Sequence, residues 1–254
     1  MNERSLQAGV LTALRRSLEE LVEEGVEIAP RPDASSAPEM GTPSPTPHRP
    51  GQPTLALTNA GEVVDRAAAL AQIRRELGEC TRCRLHEGRN AIVFGEGAPT
   101  APVVFVGEGP GAEEDRTGRP FVGRAGELLD RIIASVGWRR DEVYICNIVK
   151  CRPPGNRDPQ LDEVATCRPF LDRQLETIRP SAIVTLGRPA TSTLLGRNIA
   201  ITKLRGLWQE WRGIPVMPTF HPAYLLRNYT RETRQAVWDD LRAVRALVDE
   251  RAGS

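Results

Sequence analysis

Short apolar runs alternate with longer helical patterns between residues 61 and 250, and this alternation constrains the fold more than any other feature of the sequence. The runs are rich in β-branched residues and predict buried strands at 103–106, 143–149, 182–186 and 215–220. Apolar residues at helical spacing predict helices near 63–77, 123–136, 160–178, 188–196 and 231–249. Strands that are apolar throughout and separated by helices indicate an α/β fold with a central parallel sheet covered on both faces. The ligands of such sheets bind at the carboxyl ends of the strands.

The first sixty residues have a different character. Residues 1–28 place leucine and valine at three- and four-residue steps, opposite a cluster of glutamates, and predict an amphipathic helix. Eight prolines fall within 30–53, so residues 29–60 are predicted to form an extended, disordered linker. The predicted organisation is therefore a helix, a linker and a domain at 61–250, and the sequence identifies no partner for the helix.

Composition and charge narrow the class of protein. No stretch has the roughly 18 consecutive apolar residues of a membrane span, and the N-terminus lacks a signal-peptide core. We therefore expect a cytoplasmic protein with no membrane partner. The formal net charge is only +1, but residues 116–235 contain 20 Lys and Arg against 11 Asp and Glu. Such a basic segment is suited to a polyanion such as nucleic acid.

The five cysteines are an odd number, which argues against a disulfide framework and favours metal ligands. Cys80 and Cys83 form a Cys-x2-Cys pair, and Cys151 and Cys167 supply two more thiols. Four thiolates can hold either zinc or an iron–sulfur cluster, and the spacing does not choose between them. Cys146 falls within a predicted strand, where a small buried residue needs no further role.

Three motifs fall at the predicted carboxyl ends of strands. They are a glycine-rich loop, Gly107-Glu-Gly-Pro-Gly111, then Asn147, and then His221-Pro-Ala-Tyr-Leu. The loop also fits a loose dinucleotide-binding fingerprint. However, Glu108 and the acidic run at 113–115 would repel a pyrophosphate, and Pro110 has no N–H to offer it, so this interpretation is disfavoured.

In their order and spacing, the motifs resemble those of the family 4 uracil-DNA glycosylases, the iron–sulfur members of the uracil-DNA glycosylase superfamily. The resemblance extends from about residue 70 to 245. It rests on Cys80-x2-Cys83, Gly-Glu-Gly-Pro-Gly, Thr-Gly-Arg-Pro-Phe121, Asn147-Ile-Val-Lys-Cys151-Arg-Pro-Pro, Cys167 and His221-Pro-Ala-Tyr-Leu-Leu-Arg227.

This resemblance implies a three-layer α/β/α sandwich and a monomeric enzyme. The enzyme would extrude uracil from single- or double-stranded DNA and hydrolyse its N-glycosidic bond, leaving an abasic site and starting base-excision repair. The resemblance also implies a 4Fe–4S cluster on Cys80, Cys83, Cys151 and Cys167, which would leave Cys146 free.

The resemblance gives three side chains a role at the base. His221 would donate a hydrogen bond to uracil O2 as negative charge develops there. The amide of Asn147 would pair with O4 and N3–H of uracil, a donor and acceptor pattern that cytosine reverses. Phe121 would stack on the extruded base.

Handling of the attacking water involves a further set of residues. In the best-known branch of the superfamily an aspartate occupies the third position of the glycine-rich motif, which is Gly109 here. We expect Glu108 to position the water, with Glu114 and Asn156 as alternatives that also line the uracil pocket.

Contacts to DNA are predicted around residues 221–227, which we expect to form a loop. Leu225 or Leu226 would wedge into the space left by the extruded base. Arg227, Arg152 and Arg205 would contact phosphates, which gives affinity but no choice of sequence.

Two other interpretations involve the same fold. A DNA-binding protein that has lost turnover is one, but intact Phe121, Asn147 and His221 argue against it. The other is the branch that binds uracil-DNA covalently through a histidine in a basic loop after the third strand. Residues 196–204, where that loop would lie, contain no histidine.

Overall fold

The computed structural model describes residues 65–253. The helix predicted at 1–28 and the linker predicted at 29–60 lie outside this range. Within it, one sheet has six strands in the order β1-β3-β2-β4-β6-β5. The strands are β1 (Glu96–Gly97), β2 (Val103–Gly107), β3 (Tyr144–Asn147), β4 (Ala182–Leu186), β5 (Gln209–Trp211) and β6 (Ile214–Thr219).

The described residues also form eight α-helices and two short 3₁₀ turns, Arg84–His86 and Pro154–Asn156. The helices are α1 (Arg66–Leu77), α2 (Ala112–Thr117), α3 (Arg124–Ser135), α4 (Leu161–Ile178), α5 (Gly187–Leu195), α6 (Ile201–Leu204), α7 (Pro222–Arg227) and α8 (Arg231–Ala252). Capping side chains determine where two of these helices begin. Asp65 accepts the N–H of Ala68 at 3.0 Å to begin α1, and Thr230 accepts that of Thr233 at 3.2 Å to begin α8. None of the described helices is long and apolar enough to cross a bilayer.

The predicted parallel sheet is confirmed for the four central strands β3, β2, β4 and β6. The two edge strands, β1 and β5, run antiparallel to their neighbours and were not predicted. All five helices predicted within the described range are present, with ends shifted by a few residues. The loop predicted at 221–227 is wrong, because this segment forms α7. Short helices such as α2, α6 and α7 have too few turns to show a helical period.

Side chains of β2 divide between two apolar clusters, and this division explains the three layers. Val104 and Val106 pack in a cluster with the apolar faces of α1 and α4. Val103 and Phe105 point to the opposite face and pack in a cluster with α3 and α8. Successive side chains of a strand point to opposite faces, so a strand without polar residues requires a helical layer on both sides.

The parallel arrangement brings the carboxyl ends of four strands to one edge of the sheet. Gly107 at the end of β2 pairs with Asn147 at the end of β3. Leu186 at the end of β4 pairs with Thr219 at the end of β6, two residues before His221. The three motifs singled out in the sequence therefore meet at this edge, as predicted.

Candidate active site

A cleft with a volume of about 580 Å³ opens at the carboxyl edge of the sheet. The residues predicted to act on uracil all line it: Glu108, Gly109, Glu114, Phe121, Asn147, Asn156 and His221. Arg227, which was predicted to contact phosphate, lines it as well. The fold thus brings together residues that are more than a hundred positions apart in the chain.

Asn147 is the central polar group of the cleft wall. Its side chain is buried, and neither its amide oxygen nor its amide nitrogen has a hydrogen-bond partner within residues 65–253. Gly107 makes this position possible, because a Cβ there would lie 2.4 Å from Asn147 Oδ1 and 2.6 Å from the Phe121 ring. Buried amides are almost always paired, so an unpaired one at a cleft indicates a site for a ligand with a matching donor and acceptor.

Phe121 adopts a backbone conformation that is unusual for a bulky residue, with φ at 50°. Two side chains hold it there. Arg140 donates to the carbonyl oxygens of Phe121, at 3.1 Å, and of Pro120. The Glu114 carboxylate accepts the N–H groups of Val122 and Gly123, both at 2.9 Å. Strain held in place by surrounding contacts is typical of a functional site.

Glu114 lines the cleft, as predicted, but backbone N–H groups already engage its carboxylate. Its other carboxylate oxygen accepts the N–H of Gly111 at 3.1 Å, so both oxygens already have backbone partners. Although Glu114 lines the cleft, these contacts make it a positioning residue that joins the glycine-rich loop to the Phe121 loop. Asn156 lies at the cleft rim, exposed, where it accepts a 2.7 Å hydrogen bond from Arg152.

His221 caps the N-terminus of α7. Its Nδ1 accepts the N–H of Ala223 at 3.0 Å, which assigns the proton of the neutral ring to Nε2. Burial, with a contribution from the positive charge of Arg227, lowers the pKa of His221 to about 4. The ring is thus a neutral donor at physiological pH, and its centroid lies 5.6 Å from that of the Phe121 ring.

Glu108 and Gly109 lie beside each other in the glycine-rich loop. Burial, followed by the nearby carboxyl of Asp158, raises the pKa of Glu108 to about 7, and Arg188 acts in the opposite direction. A Cβ on Gly109 would lie 2.9 Å from Val149 Cγ2, so this position has no room for a larger side chain unless Val149 moves. Glu108 is therefore the carboxyl group of this loop that lines the cleft.

The residues predicted to contact DNA divide into two groups. Leu226 is 36% exposed on α7 and Arg227 is also exposed, without a hydrogen bond or ion pair in the described part of the chain. By contrast, Leu225 is only 2% exposed and packs in the core, so of the two leucines only Leu226 remains a candidate for the predicted wedge. The helical turn of α7 places neighbouring leucines on different faces.

The guanidinium of Arg205, which was predicted to contact phosphate, is instead bonded within the protein. It bonds both carboxylate oxygens of Asp240, at 2.5 and 3.2 Å, and donates to the carbonyl of Ala236 at 2.7 Å. Asp240 is buried and also accepts the Thr219 hydroxyl at 2.6 Å. The Arg205 guanidinium thus balances the charge of the buried Asp240 carboxylate and connects the C-terminal end of α6 with α8.

Lys150 is a buried residue near the site that the sequence analysis did not single out. Its ammonium donates to the backbone carbonyl of Asn147 at 2.8 Å and to Gln174 Oε1 at 2.6 Å. Gln174 in turn donates to Tyr144 Oη at 3.1 Å. A signal was present in the composition, because Lys150 is one of only two lysines among 34 basic residues. It fixes the backbone of the residue that carries the unpaired amide.

Cys80, Cys83, Cys151 and Cys167 lie together on the side of the sheet covered by α1 and α4. Burial raises the pKa of both Cys151 and Cys167, and the thiol of Cys83 lies close enough to each of them to raise it further. All four pack against one apolar cluster and none forms a disulfide.

Two arginines donate hydrogen bonds to this group of thiols. Arg82 reaches Cys80 Sγ at 3.2 Å, and Arg89 reaches Cys151 Sγ at 3.3 Å. Within residues 65–253 no three potential ligands are close enough together to hold a single metal ion. Cys146 is fully buried in β3, as predicted.

Comparison with known proteins agrees with this geometry. A family model described as the uracil DNA glycosylase superfamily matches residues 94–242. A type-4 uracil-DNA glycosylase of Thermotoga maritima is 49% identical over 178 residues, covering 69% of this chain and 93% of that protein. One of Sulfurisphaera tokodaii is 46% identical, covering 70% and 84%. A type-5 uracil-DNA glycosylase of Pyrobaculum aerophilum is 35% identical, covering 58% and 72%. The chain belongs to the uracil-DNA glycosylase superfamily and, within it, to the type-4 enzymes.

Proposed function

We propose that this protein excises uracil from DNA by hydrolysing the bond between uracil N1 and deoxyribose C1′. The observation that carries this proposal is the buried, unpartnered amide of Asn147 at the cleft wall. An amide oxygen and an amide N–H side by side match N3–H and O4 of uracil. Cytosine presents an acceptor and a donor in the reverse order, so it would leave buried groups unpaired.

Binding of an extruded base uses two further features of the cleft. Phe121 provides an aromatic ring next to the Asn147 amide, so that a base could stack while it is recognised at its edge. Glu114, Arg140 and Lys150 hold the backbones of these two residues. Because the groups are fixed before the base arrives, little reorganisation is needed when it binds.

Hydrolysis requires one group that stabilises the leaving uracil and another that accepts a proton from the attacking water. When the N1–C1′ bond breaks, its electron pair goes to uracil and spreads onto O2, where the Nε2–H of His221 would donate. A water molecule adds to C1′ and gives up a proton, which ionised Glu108 would accept. With a pKa of about 7, Glu108 has enough of both forms near neutral pH to take up a proton and release it.

We further propose that the four thiols hold a 4Fe–4S cluster. Their donor set fits, since such a cluster takes four thiolates, and two arginines donate to the sulfurs of what would be an anionic group. When bound, the cluster would join the segment after α1, helix α4 and the segment after β3 covalently, as a structural centre away from the cleft.

DNA would reach the cleft past α7. Leu226 is the exposed aliphatic side chain of α7 that would fill the space left by the base, and the exposed Arg227 would contact phosphates. Arg152, which is half-buried and donates to Asn156, would add a second phosphate contact. Single- and double-stranded DNA that contains uracil are both included in the proposal, and the enzyme is proposed to act as a monomer. The domain at 61–250 is proposed to carry the activity, and the helix at 1–28 to bind a partner not yet identified.

The test is excision from labelled oligonucleotides that contain one uracil, one cytosine or one thymine at the same position, read as alkali-labile breaks. We expect breaks at uracil alone. His221→Asn is a sharper variant than alanine, because its side-chain oxygen can still cap α7 while nothing replaces the Nε2–H. It should lower the excision rate by about 10²- to 10³-fold with little change in Tm.

His221→Ala is the matched control. It should show the same loss of rate and, in addition, a loss of about 1 kcal/mol in unfolding free energy, because the helix cap is gone. A wild-type rate in His221→Asn would remove the ring from the chemistry. Equal breaks at cytosine and uracil would contradict the recognition assigned to Asn147.

A further inference from the structure

A second groove lies on the other side of α7 from the cleft, between α7, α3 and the first half of α8. Its volume is about 480 Å³. Apolar side chains of α3 and α8 form its floor, and aromatic and basic side chains form its sides. The residues that line it are Leu128, Arg131, Ile132, Ser135, Leu225, Tyr229, Arg231, Arg234, Gln235, Val237 and Trp238.

Two aromatic side chains of this groove are unusually open to solvent. Tyr229 is 58% exposed and Trp238 is 38% exposed. A guanidinium lies over each ring, Arg234 at 4.8 Å from the Tyr229 centroid and Arg242 at 4.6 Å from that of Trp238. Pairs of this kind provide flat surfaces on which an unpaired nucleobase can stack, on either the ring or the guanidinium.

The groove is also strongly basic. Three arginines line it, and no Asp or Glu is among its lining residues. Within residues 65–253, the side chains of Arg131 and Arg231 have no hydrogen bond or ion pair, and the side chain of Arg234 donates only to the Thr230 carbonyl, at 3.4 Å, and has no ion pair. Glu232 and Asp239 lie on the same helix but outside the lining. These cations are therefore available to an anionic partner.

Helix α3 runs from the cleft to the groove. Ala125 lines the cleft, whereas Leu128, Arg131 and Ser135 line the groove. At 1.5 Å per residue, the groove begins about 5 Å from Ala125 and extends to about 15 Å, a span that a few nucleotides would cover. Both recesses touch α7, which carries the exposed Leu226. A strand leaving the cleft would therefore pass α7 to enter the groove.

We propose that this groove binds the unpaired DNA strand that flanks the extruded uracil. Bases stack on Tyr229 and Trp238, and phosphates contact Arg131, Arg231 and Arg234. The strand is unpaired because stacking on a side chain requires a base that is free of its partner. This inference rests on the proposed function for the identity of the base in the cleft, but the groove itself needs no uracil to bind DNA.

Binding is measured first with uracil-free DNA. The probe is a fluorescent oligothymidylate of about twelve nucleotides, in anisotropy titrations at several salt concentrations. The double variant Tyr229→Ala/Trp238→Ala should raise Kd by about tenfold or more, in line with loss of base–aromatic stacking. Trp208→Ala is the matched control, since Trp208 is equally exposed but lies outside the groove, and it should bind as the wild type does.

Charge is tested separately. Arg231→Gln/Arg234→Gln should make log Kd less dependent on log salt, by about 0.7 for each phosphate of a single strand that the variant no longer neutralises. Arg139→Gln, an exposed arginine paired with Asp141, should leave the slope unchanged. Unchanged Kd and slope in both groove variants would overturn the proposal. So would weakened binding of duplex DNA with unchanged binding of the single strand, or binding of an acidic helical peptide in place of DNA.

Excision kinetics then separate this inference from the proposed function. Substrates carry uracil at either end of the oligonucleotide, with the long flank on one side or the other. Wild type should have a lower KM for the substrate whose long flank lies on the side that reaches the groove. For that substrate the groove variants should raise KM and leave kcat unchanged. If wild type excises no uracil, the proposed function fails while the anisotropy result still stands. If it excises uracil with no flank preference, the groove proposal alone fails.

Discussion

Replacement of Asn147 by leucine should make the protein more stable and inactive at once. The two amide atoms are buried and have no partner within residues 65–253, and each such group costs about 1–3 kcal/mol relative to a paired or apolar one. Leucine has a similar size and no polar atom. At the low end of the range the pair costs about 2 kcal/mol, so Asn147→Leu should raise Tm by about 4–8 °C for a domain of this size.

The same free energy should be lost from uracil recognition. Without the amide, O4 and N3–H of a bound uracil have no partner, which costs about 2–6 kcal/mol in the transition state and lowers kcat/KM by about 30- to 10⁴-fold. The measurements are urea and thermal unfolding of the variant without DNA, together with single-turnover excision of uracil.

Gln174→Met is the matched control for the stability measurement. Gln174 is another fully buried amide, but it accepts from Lys150 and donates to Tyr144 Oη and to the carbonyl of Phe94. Its removal leaves those partners unpaired and should lower Tm. A lower Tm for Asn147→Leu as well, or uracil excision at the wild-type rate, would refute the reasoning that the amide is held unpaired for the base.

Three further predictions concern pH, Lys150 and the cysteines. The excision rate should increase as pH rises through about 7, where Glu108 ionises, and Glu108→Gln should abolish this increase. If the rate of that variant still rises near pH 7, Glu108 is not the group that titrates. Because the folded-state pKa of Glu108 is above 4.5, its contribution to stability is lost as pH rises from 4.5 to about 7. His221, with a pKa below 6.5, instead loses its contribution as pH falls from 6.5 towards 4, and urea unfolding across this range measures both. Lys150→Met should lower the unfolding free energy by about 1–3 kcal/mol and reduce the selectivity for uracil over cytosine, whereas unchanged selectivity would make Lys150 purely structural. Cys80→Ser should lose the visible absorbance of an iron–sulfur protein and Cys146→Ser should keep it, so equal spectra would contradict the ligand assignment.

The central sheet could be predicted because its strands are buried on both faces. Val103 to Val106 and Ala182 to Leu186 contain almost no polar residues, and only a strand between two helical layers has that composition. The edge strand Glu96–Gly97 is two residues long and contains no apolar side chain, so no pattern indicated it.

Site residues could be predicted from the sequence where their role depends on their own chemistry. They could not be predicted where the role depends on a partner that is distant in the sequence. Asn147 and His221 are polar residues at strand ends and could be placed from their position. Arg205 could not be distinguished from a free surface arginine, because its partner Asp240 is 35 positions away. Leu225 and Leu226 are identical in type, and only the turn of α7 decides which one is exposed.

The hydrogen bond that caps α7 links the helix proposed to approach DNA with the His221 ring proposed to act on uracil. His221 is bonded through Nδ1 to the first turn of the helix that carries Leu226 and Arg227, a helix about 9 Å long. A displacement of α7 on DNA therefore displaces the donor ring with it. A substitution that shifts α7 should therefore lower the excision rate through the His221 ring as well as weaken DNA binding through Leu226 and Arg227.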